Sequence, residues 1–521
     1  MSEIMNKVFM AVIFFAAIFN GAYFIGTLIV LNIFFLTAIF LQKRAVDLTA
    51  LLFIALLGVM SVSVVLFSLS LYNGLTELLK YALFGLAYIY FLDSPENDTF
   101  YKVFIFIMIF GLLGMIGISP WPGMISPYTG RMQSFIGYAN TLALLMGIGA
   151  FYTTFKFIET KSKLLILPFV GFIAALIFTG SRVGFVTFIA VYLLYIFRMV
   201  SLKIKLAAAG GLFVITAVLM LLDNRIVNIS IFAPTLVERY ISYYDAGRIM
   251  LMRPFGLGTA NWVYMQYYYQ SAPYAVRFIH NFYLQVGLDG GFLALGLLLV
   301  ILVIALYHSK KNLHFYIALF ILSGAFFEVH FNFGLVIVYF AYVLVRIKPE
   351  TGWRFVFPQK IRYAALLPIL PMAVLLLANF HYNTGVRYEN IGETQSAHAS
   401  FAASKRLNPI NASALHFALA RTASDFETYM YNLHRALELN PWDTNVIFAL
   451  ASGYYQSGDI ETAYYYADIL LTKFPFSTRN QALAFDIARA LGAVNELETR
   501  IADINSGINR LYRFIDPYFR Y

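Results

Sequence analysis

Apolar stretches of about 17 to 25 residues, the length that crosses a bilayer core as a helix, recur from the N-terminus to about residue 380. They predict spans near 6–21, 24–41, 48–67, 75–92, 101–118, 135–155, 164–180, 183–198, 206–222, 288–307, 313–329, 331–346 and 362–380, about thirteen in all. No small-residue cleavage pattern follows the first stretch, so it is expected to stay as an anchor. Beyond Phe380 the long apolar runs give way to an amphipathic pattern with Ala, Asn and scattered charges. The expected fold class is therefore all-α: a polytopic membrane region over 1–380, then a separate helical domain over 381–521.

Within that second region Arg-Leu-Asn-Pro at 406–409 returns as Glu-Leu-Asn-Pro at 438–441, and Pro475 follows Pro441 by 34 residues. A period near 34 is that of tetratricopeptide repeats. The stretch 444–475 carries Leu450, Tyr454, Gly458 and Ala463 at that motif's packing, aromatic, turn and small-residue positions. Helices are predicted near 411–422, 426–439, 443–457, 460–473 and 478–491, an unrelated helical bundle being the alternative.

Charge sets the orientation. With a cytoplasmic N-terminus the inside loops hold Lys43 and Arg44; Lys156, Lys161 and Lys163; Arg198, Lys203 and Lys205; Lys310 and Lys311; and Arg346, Lys348, Arg354, Lys360 and Arg362. The short outside loops hold only Arg131 and Arg182. The long loop near 223–287 and, with an odd span count, the domain after 380 are then expected outside. Composition agrees: 60% of the residues are hydrophobic and 12% charged, about half the charged share of a soluble domain, which excludes a cytosolic enzyme or a disordered chain. The net charge of +10 reflects topology rather than nucleic-acid binding, and the absence of Cys excludes thiol chemistry and Cys-ligated metals.

Ionisable groups beside spans are expensive and so are candidates for function. Arg182 stands in Thr-Gly-Ser-Arg-Val-Gly at the outer junction of two spans, where it needs an anionic partner or snorkels to headgroups. The long outer loop gathers Arg225, Arg239, Arg248, Arg253 and Arg277 with Asp245, a turn at Pro254-Phe255-Gly256-Leu257-Gly258, a tyrosine-rich stretch over 264–274, and His280-Asn281. Guanidinium forks match phosphate oxygens, and an imidazole accepts a hydroxyl proton near neutral pH. The tyrosines offer flat faces for sugar rings or simply pack against a neighbouring helix.

Taken in order, these segments resemble the O-antigen ligase-like superfamily of membrane glycosyltransferases: O-antigen ligases, polysaccharide polymerases and O-linked protein oligosaccharyltransferases. His280-Asn281-Phe282-Tyr283-Leu284, followed by Gly290-Gly291 and an apolar span, resembles the His-Asn-x-x-Leu segment closing that family's large outer loop. Arg239, with Tyr243 four residues later, resembles the second essential arginine, and Thr179-Gly180-Ser181-Arg182 the segment of the first. Tyr138-Ala139-Asn140-Thr141 and Glu328-Val329-His330-Phe331-Asn332 resemble two further segments, although the carboxylate often found at the position matched by His330 is missing. The resemblance covers roughly residues 100–350, and a tetratricopeptide-like tail resembles that of some bacterial members.

The resemblance implies a glycan donor on a polyprenyl diphosphate, with Arg182 and Arg239 on the diphosphate and His280 taking the acceptor proton so that displacement inverts the anomeric centre. Asn140, Tyr243, Arg248, Asn281, Glu328 and His330 are the supporting or substrate-contacting candidates. No metal or other cofactor is expected, since the outer loops contain no Asp-x-Asp pair or ligand-spaced His and carboxylate cluster. The expected setting is a bacterial plasma membrane, and the acceptor is a lipid, a protein or a growing glycan. A polysaccharide polymerase is the alternative within the class; a lipid-linked glycan transporter and a scaffold that recruits a protein partner are the rivals outside it. Transporters place polar groups at the midplane, whereas here they collect in one outer loop. A reporter active only in the cytoplasm, fused after Tyr521, is expected to be silent; strong activity would require an even number of spans.

Overall fold

Twelve of the thirteen expected spans are helices in the computed structural model, which describes residues 2–42, 44–199, 210, 234–307, 309, 311–348, 353–356, 358, 362–408, 410 and 412–515. The ninth expected span, 206–222, lies outside the described residues, Gly210 apart. The first eight helices are α1 (Ser2–Ile18), α2 (Ile25–Leu41), α3 (Leu48–Phe67), α4 (Leu71–Leu92), α5 (Thr99–Met115), α6 (Ala139–Thr160), α7 (Ile166–Phe178) and α8 (Arg182–Met199). The described part of the long loop expected outside contributes α9 (Pro234–Met252) and α10 (Trp262–Tyr269). Then come α11 (Phe282–Tyr307), α12 (Leu313–Ala325), α13 (Gly334–Ile347) and α14 (Ile369–Asn390). The chain is an all-α polytopic membrane protein.

Burial follows the composition of each helix. α13 is apolar all round and buried along Leu335–Leu344, at the centre of the bundle beside α4. α3 and α11 are only a third buried and turn apolar side chains such as Val62, Val65, Leu293 and Val303 outward, as lipid-facing helices do. Five described helices are long and apolar enough to cross a bilayer. α7 and α12 have only 13 residues each, about 20 Å of helix, and the connections that follow them fold back into the protein. At the end where inside loops are expected, β1 (Ala45–Val46) pairs antiparallel with β2 (Phe355–Val356). Beside it Asp47 caps α3, accepts from the Tyr88 hydroxyl at 3.0 Å and pairs with Lys348.

α14 runs unbroken across position 380 into α15 (Thr394–Leu407), α16 (Ser413–Arg421), α17 (Phe426–Leu439), α18 (Thr444–Ser457), α19 (Ile460–Lys473), α20 (Thr478–Leu491) and α21 (Val494–Ile515). Helices stand wherever the sequence predicts them here, and α15 and α21 are additional. Asp425, Asp443, Asp459 and Ser477 each cap the next helix with a side-chain oxygen. Gly458 and Gly492, 34 positions apart, close α18 and α20 in the left-handed conformation.

The Pro254–Gly258 turn meets the break in α11 at Gly291, whose φ is +73°. The Leu257 amide donates to the Leu288 carbonyl at 2.6 Å, and the Phe292 amide to the Pro254 carbonyl at 2.9 Å. A Cβ at Gly291 would lie 2.3 Å from that carbonyl oxygen, a backbone atom that has no rotamer with which to move aside. Gly291→Ala is expected to destabilise the protein by roughly 2 kcal/mol or more in detergent-solubilised thermal unfolding, while Gly296→Ala, which would meet open space, leaves the midpoint unchanged. Equal midpoints for the two variants would show that turn and helix are not locked together.

Candidate active site

α11 begins at Phe282 because Asn281 caps it, its Oδ1 accepting from the Leu284 amide at 3.0 Å. That cap leaves His280 immediately outside the helix, where its carbonyl accepts from the Tyr243 hydroxyl. Tyr243 and Arg239, four residues apart on α9, share one face of that helix. The same face meets the end of α12, whose last carbonyls lack helical partners. The Tyr243 hydroxyl lies 3.2 Å from the Phe326 carbonyl there, and Arg239 Nη1 donates to the Phe327 carbonyl at 3.0 Å.

Next in the chain is Glu328, with its side chain 2% exposed. Arg239 Nη2 and Asn140 Nδ2 each lie 2.7 Å from Oε1. The Tyr138 hydroxyl donates to Oε2 at 2.7 Å, and His280 Nδ1 stands 3.4 Å from the same oxygen. Burial pushes this carboxyl upward, but the His280 hydrogen bond and the Arg239 charge outweigh it and hold the group at about 2, against an ordinary 4.5. Burial likewise works against the Arg239 charge, and Glu328 reverses the effect, so the guanidinium binds its proton more tightly than usual. His330 is buried behind the carboxylate with Nδ1 3.1 Å from the Thr141 hydroxyl, and burial lowers it to about 4, so it is neutral at physiological pH.

Arg131 extends the network. It donates from Nη2 to the Asn140 side-chain oxygen and from Nε to the Thr179 carbonyl at 2.6 Å, tying the Thr179–Arg182 segment to the Glu328 cluster. Arg182 is the first residue of α8, half-buried, and its side chain makes no hydrogen bond or ion pair among the described residues. His280, Tyr138 and Arg277 line a cavity of about 370 Å³. Arg277 is exposed, its guanidinium near the rings of Tyr23 and Phe278. Among the described residues no cluster of His and carboxylate side chains could hold a metal.

The structure thus unites Arg239, His280, Asn140, Tyr243, Glu328 and His330 and ties the Arg182 segment to them. Asn281 is adjacent, but its side chain serves the helix cap. Arg248 lies apart: it pairs with buried Asp245 at 3.3 Å and donates to the Tyr269 carbonyl, bracing the loop after α10. Arg225 lies outside the described residues. Sequence reasoning counted Arg131 only as a topological charge and gave Glu328 no more weight than its neighbours. The one available signal for Glu328 was an acid directly after a short apolar helix, with no Lys or Arg between Lys311 and Arg346 to offset it.

Residues 167–299 match the family model described as O-Antigen ligase. The matched segment holds Arg182, Arg239, Arg248, His280 and Asn281, while Asn140, Glu328 and His330 fall outside it. The match supports membership of the O-antigen ligase-like superfamily for this part of the chain. No curated protein matches the sequence.

Glu328→Gln retains the shape and leaves Arg239 without its counter-charge, so a loss of about 3 kcal/mol is expected. A carboxyl that folding depresses stabilises the protein above its unfolded pKa, and that contribution fades as pH falls toward the folded value. The gap in thermal midpoint between parent and variant should therefore be constant from about pH 8 to about pH 6 and narrow below about 4.5. A gap independent of pH down to about 3 would remove the ion pair as its cause.

Proposed function

We propose that the chain is an inverting, metal-independent membrane glycosyltransferase that moves a glycan from a polyprenyl diphosphate to an acceptor hydroxyl at the outer face of a bacterial plasma membrane. The observation that carries this reading is the contact of His280 Nδ1 with a buried, ionised carboxylate in a residue that also lines a cavity. Glu328 fixes the imidazole with its Nδ1 proton directed inward, which leaves Nε2 to accept a proton, and it stabilises the imidazolium that forms.

In the proposed step the acceptor hydroxyl gives its proton to His280 Nε2 while its oxygen bonds to the anomeric carbon. The bond from that carbon to the diphosphate oxygen breaks with its electron pair, and the diphosphate departs. Arg182, half-buried and without a partner among the described residues, and Arg239 are assigned to the growing negative charge. Arg239 already carries Glu328, so its contribution is shared between holding the base and facing the leaving group. The stack after α14 is read as an extracytoplasmic tetratricopeptide-like domain that meets an acceptor or a protein partner. Its helical hairpins and the 34-residue spacing of its closing glycines support that reading.

Purified protein incubated with a polyprenyl-diphosphate oligosaccharide and candidate lipid, peptide and glycan acceptors should add mass to one of them. His280→Ala should fold normally and lose roughly 10²- to 10⁴-fold in turnover, the usual share of positioned proton transfer. Full activity in a stable His280→Ala protein would eliminate the base. Arg182→Lys and Arg239→Lys should both be strongly impaired, because an ammonium keeps the charge and loses the fork. Turnover equal to the parent in both would move the diphosphate to Arg277 or Arg253.

A further inference from the structure

A second cavity, of about 400 Å³, lies between the membrane helices and the C-terminal helices, and it shares Tyr23, Phe24, Arg277 and Phe278 with the smaller cavity lined by His280. Its membrane side contains ionisable groups that already have ion-pair or hydrogen-bond partners. Lys80 of α4 pairs with Glu77 at 2.7 Å and donates to Asn332 Oδ1 at 3.1 Å. Asp289 of α11 accepts from the Tyr81 hydroxyl at 2.8 Å and from Gln285 Nε2 at 2.9 Å. Apart from Arg277 at the shared wall, the chamber offers no uncommitted charge for an ionic ligand. Its other side is built by α10, α14 and α16, which contribute Tyr264, Tyr382, Asn383 and Ala414. Tyr264 is held by Asn73, whose Nδ2 donates to its hydroxyl at 3.1 Å.

Carboxamides beside phenol rings suit one class of ligand. An amide offers a donor and an acceptor together, as each sugar hydroxyl does, and a ring face covers the C–H face of a pyranose. A polyprenyl chain would leave those amides without partners. A peptide held by strand addition needs an open sheet edge, and the walls of this chamber are helical. The volume falls within the range of about 300–1,000 Å³ usual for small-ligand clefts.

From this we infer that the chamber seats the acceptor as the end of an uncharged glycan, which reaches His280 past the wall at Arg277 and Phe278. The inference rests on the glycosyl-transfer reading and makes the C-terminal helices part of the acceptor site, so that the acceptor is a saccharide chain rather than a polypeptide.

The test reads binding without turnover. Full-length protein in lipid nanodiscs is mixed with cellotetraose, chitotetraose or maltotetraose, or with a Ser/Thr-rich decapeptide, and saturation-transfer NMR reports contact. At least one tetrasaccharide should show transfer. Ala414→Trp, which fills the chamber from an exposed position on α16, should abolish it, and His280→Ala should retain it. Asn383→Leu, which removes the amide at similar size, should weaken the signal and serves as the second variant if Ala414→Trp fails to fold. Transfer to none of the sugars, sugar transfer unaltered by a well-folded chamber variant, or contact with the decapeptide alone would each overturn the inference. Glycan binding in a protein that transfers nothing would sink the enzymatic reading and leave the seat intact; transfer activity unchanged by both chamber variants would do the reverse.

Discussion

The cluster where α6, α9 and α12 meet the start of α11 is arranged around one buried negative charge. A carboxylate taken out of water is costly unless it is paired and hydrogen-bonded, and Glu328 meets that demand with groups from three separate segments. Arg239 comes from α9, Tyr138 and Asn140 from the start of α6, and His280 from the end of the outer loop. Because the charge requires all of them, it fixes where α9 lies against α12 and which ring nitrogen of His280 faces inward. The arrangement of His280 follows from an electrostatic requirement of the fold.

The long loop that carries Arg239 and His280 is also held down elsewhere. Asn261, between the Pro254–Gly258 turn and α10, donates from Nδ2 to the Phe67 carbonyl at 2.7 Å and accepts from the Leu69 amide at 3.0 Å, docking the loop on the α3–α4 connection. The turn itself is pinned at Gly291. On its far side α10 presents Tyr267 and Tyr268 to Phe474 and Trp442 of the C-terminal helices, with ring centres 5.4 and 5.6 Å apart. The loop is therefore clamped between two helical bodies. Displacement of either body would be felt along the loop that ends at His280.

Local sequence was enough wherever a local rule sufficed. Continuous apolar runs determined the membrane helices, because an unsatisfied backbone in lipid leaves helix as the only open choice. Likewise Asp425, Asp459, Gly458 and Gly492 marked helix ends through caps that act within a few residues. The pairing at the site obeyed no such rule. Arg239 and Glu328 are 89 positions apart and Asn140 and Glu328 are 188 apart, and nothing in the spacing says which of five loop arginines will meet the acid. Hydropathy also passed over Glu77, Lys80 and Asp289, which lie near the ends of the expected spans 75–92 and 288–307 and line one chamber only once α4 and α11 are packed together. Sequence by itself determined the elements, their apolar faces and the residue types available for chemistry. Tertiary structure alone decided which charges were neutralised and which were left free, since the cost of burying a charge is set by its neighbours in space.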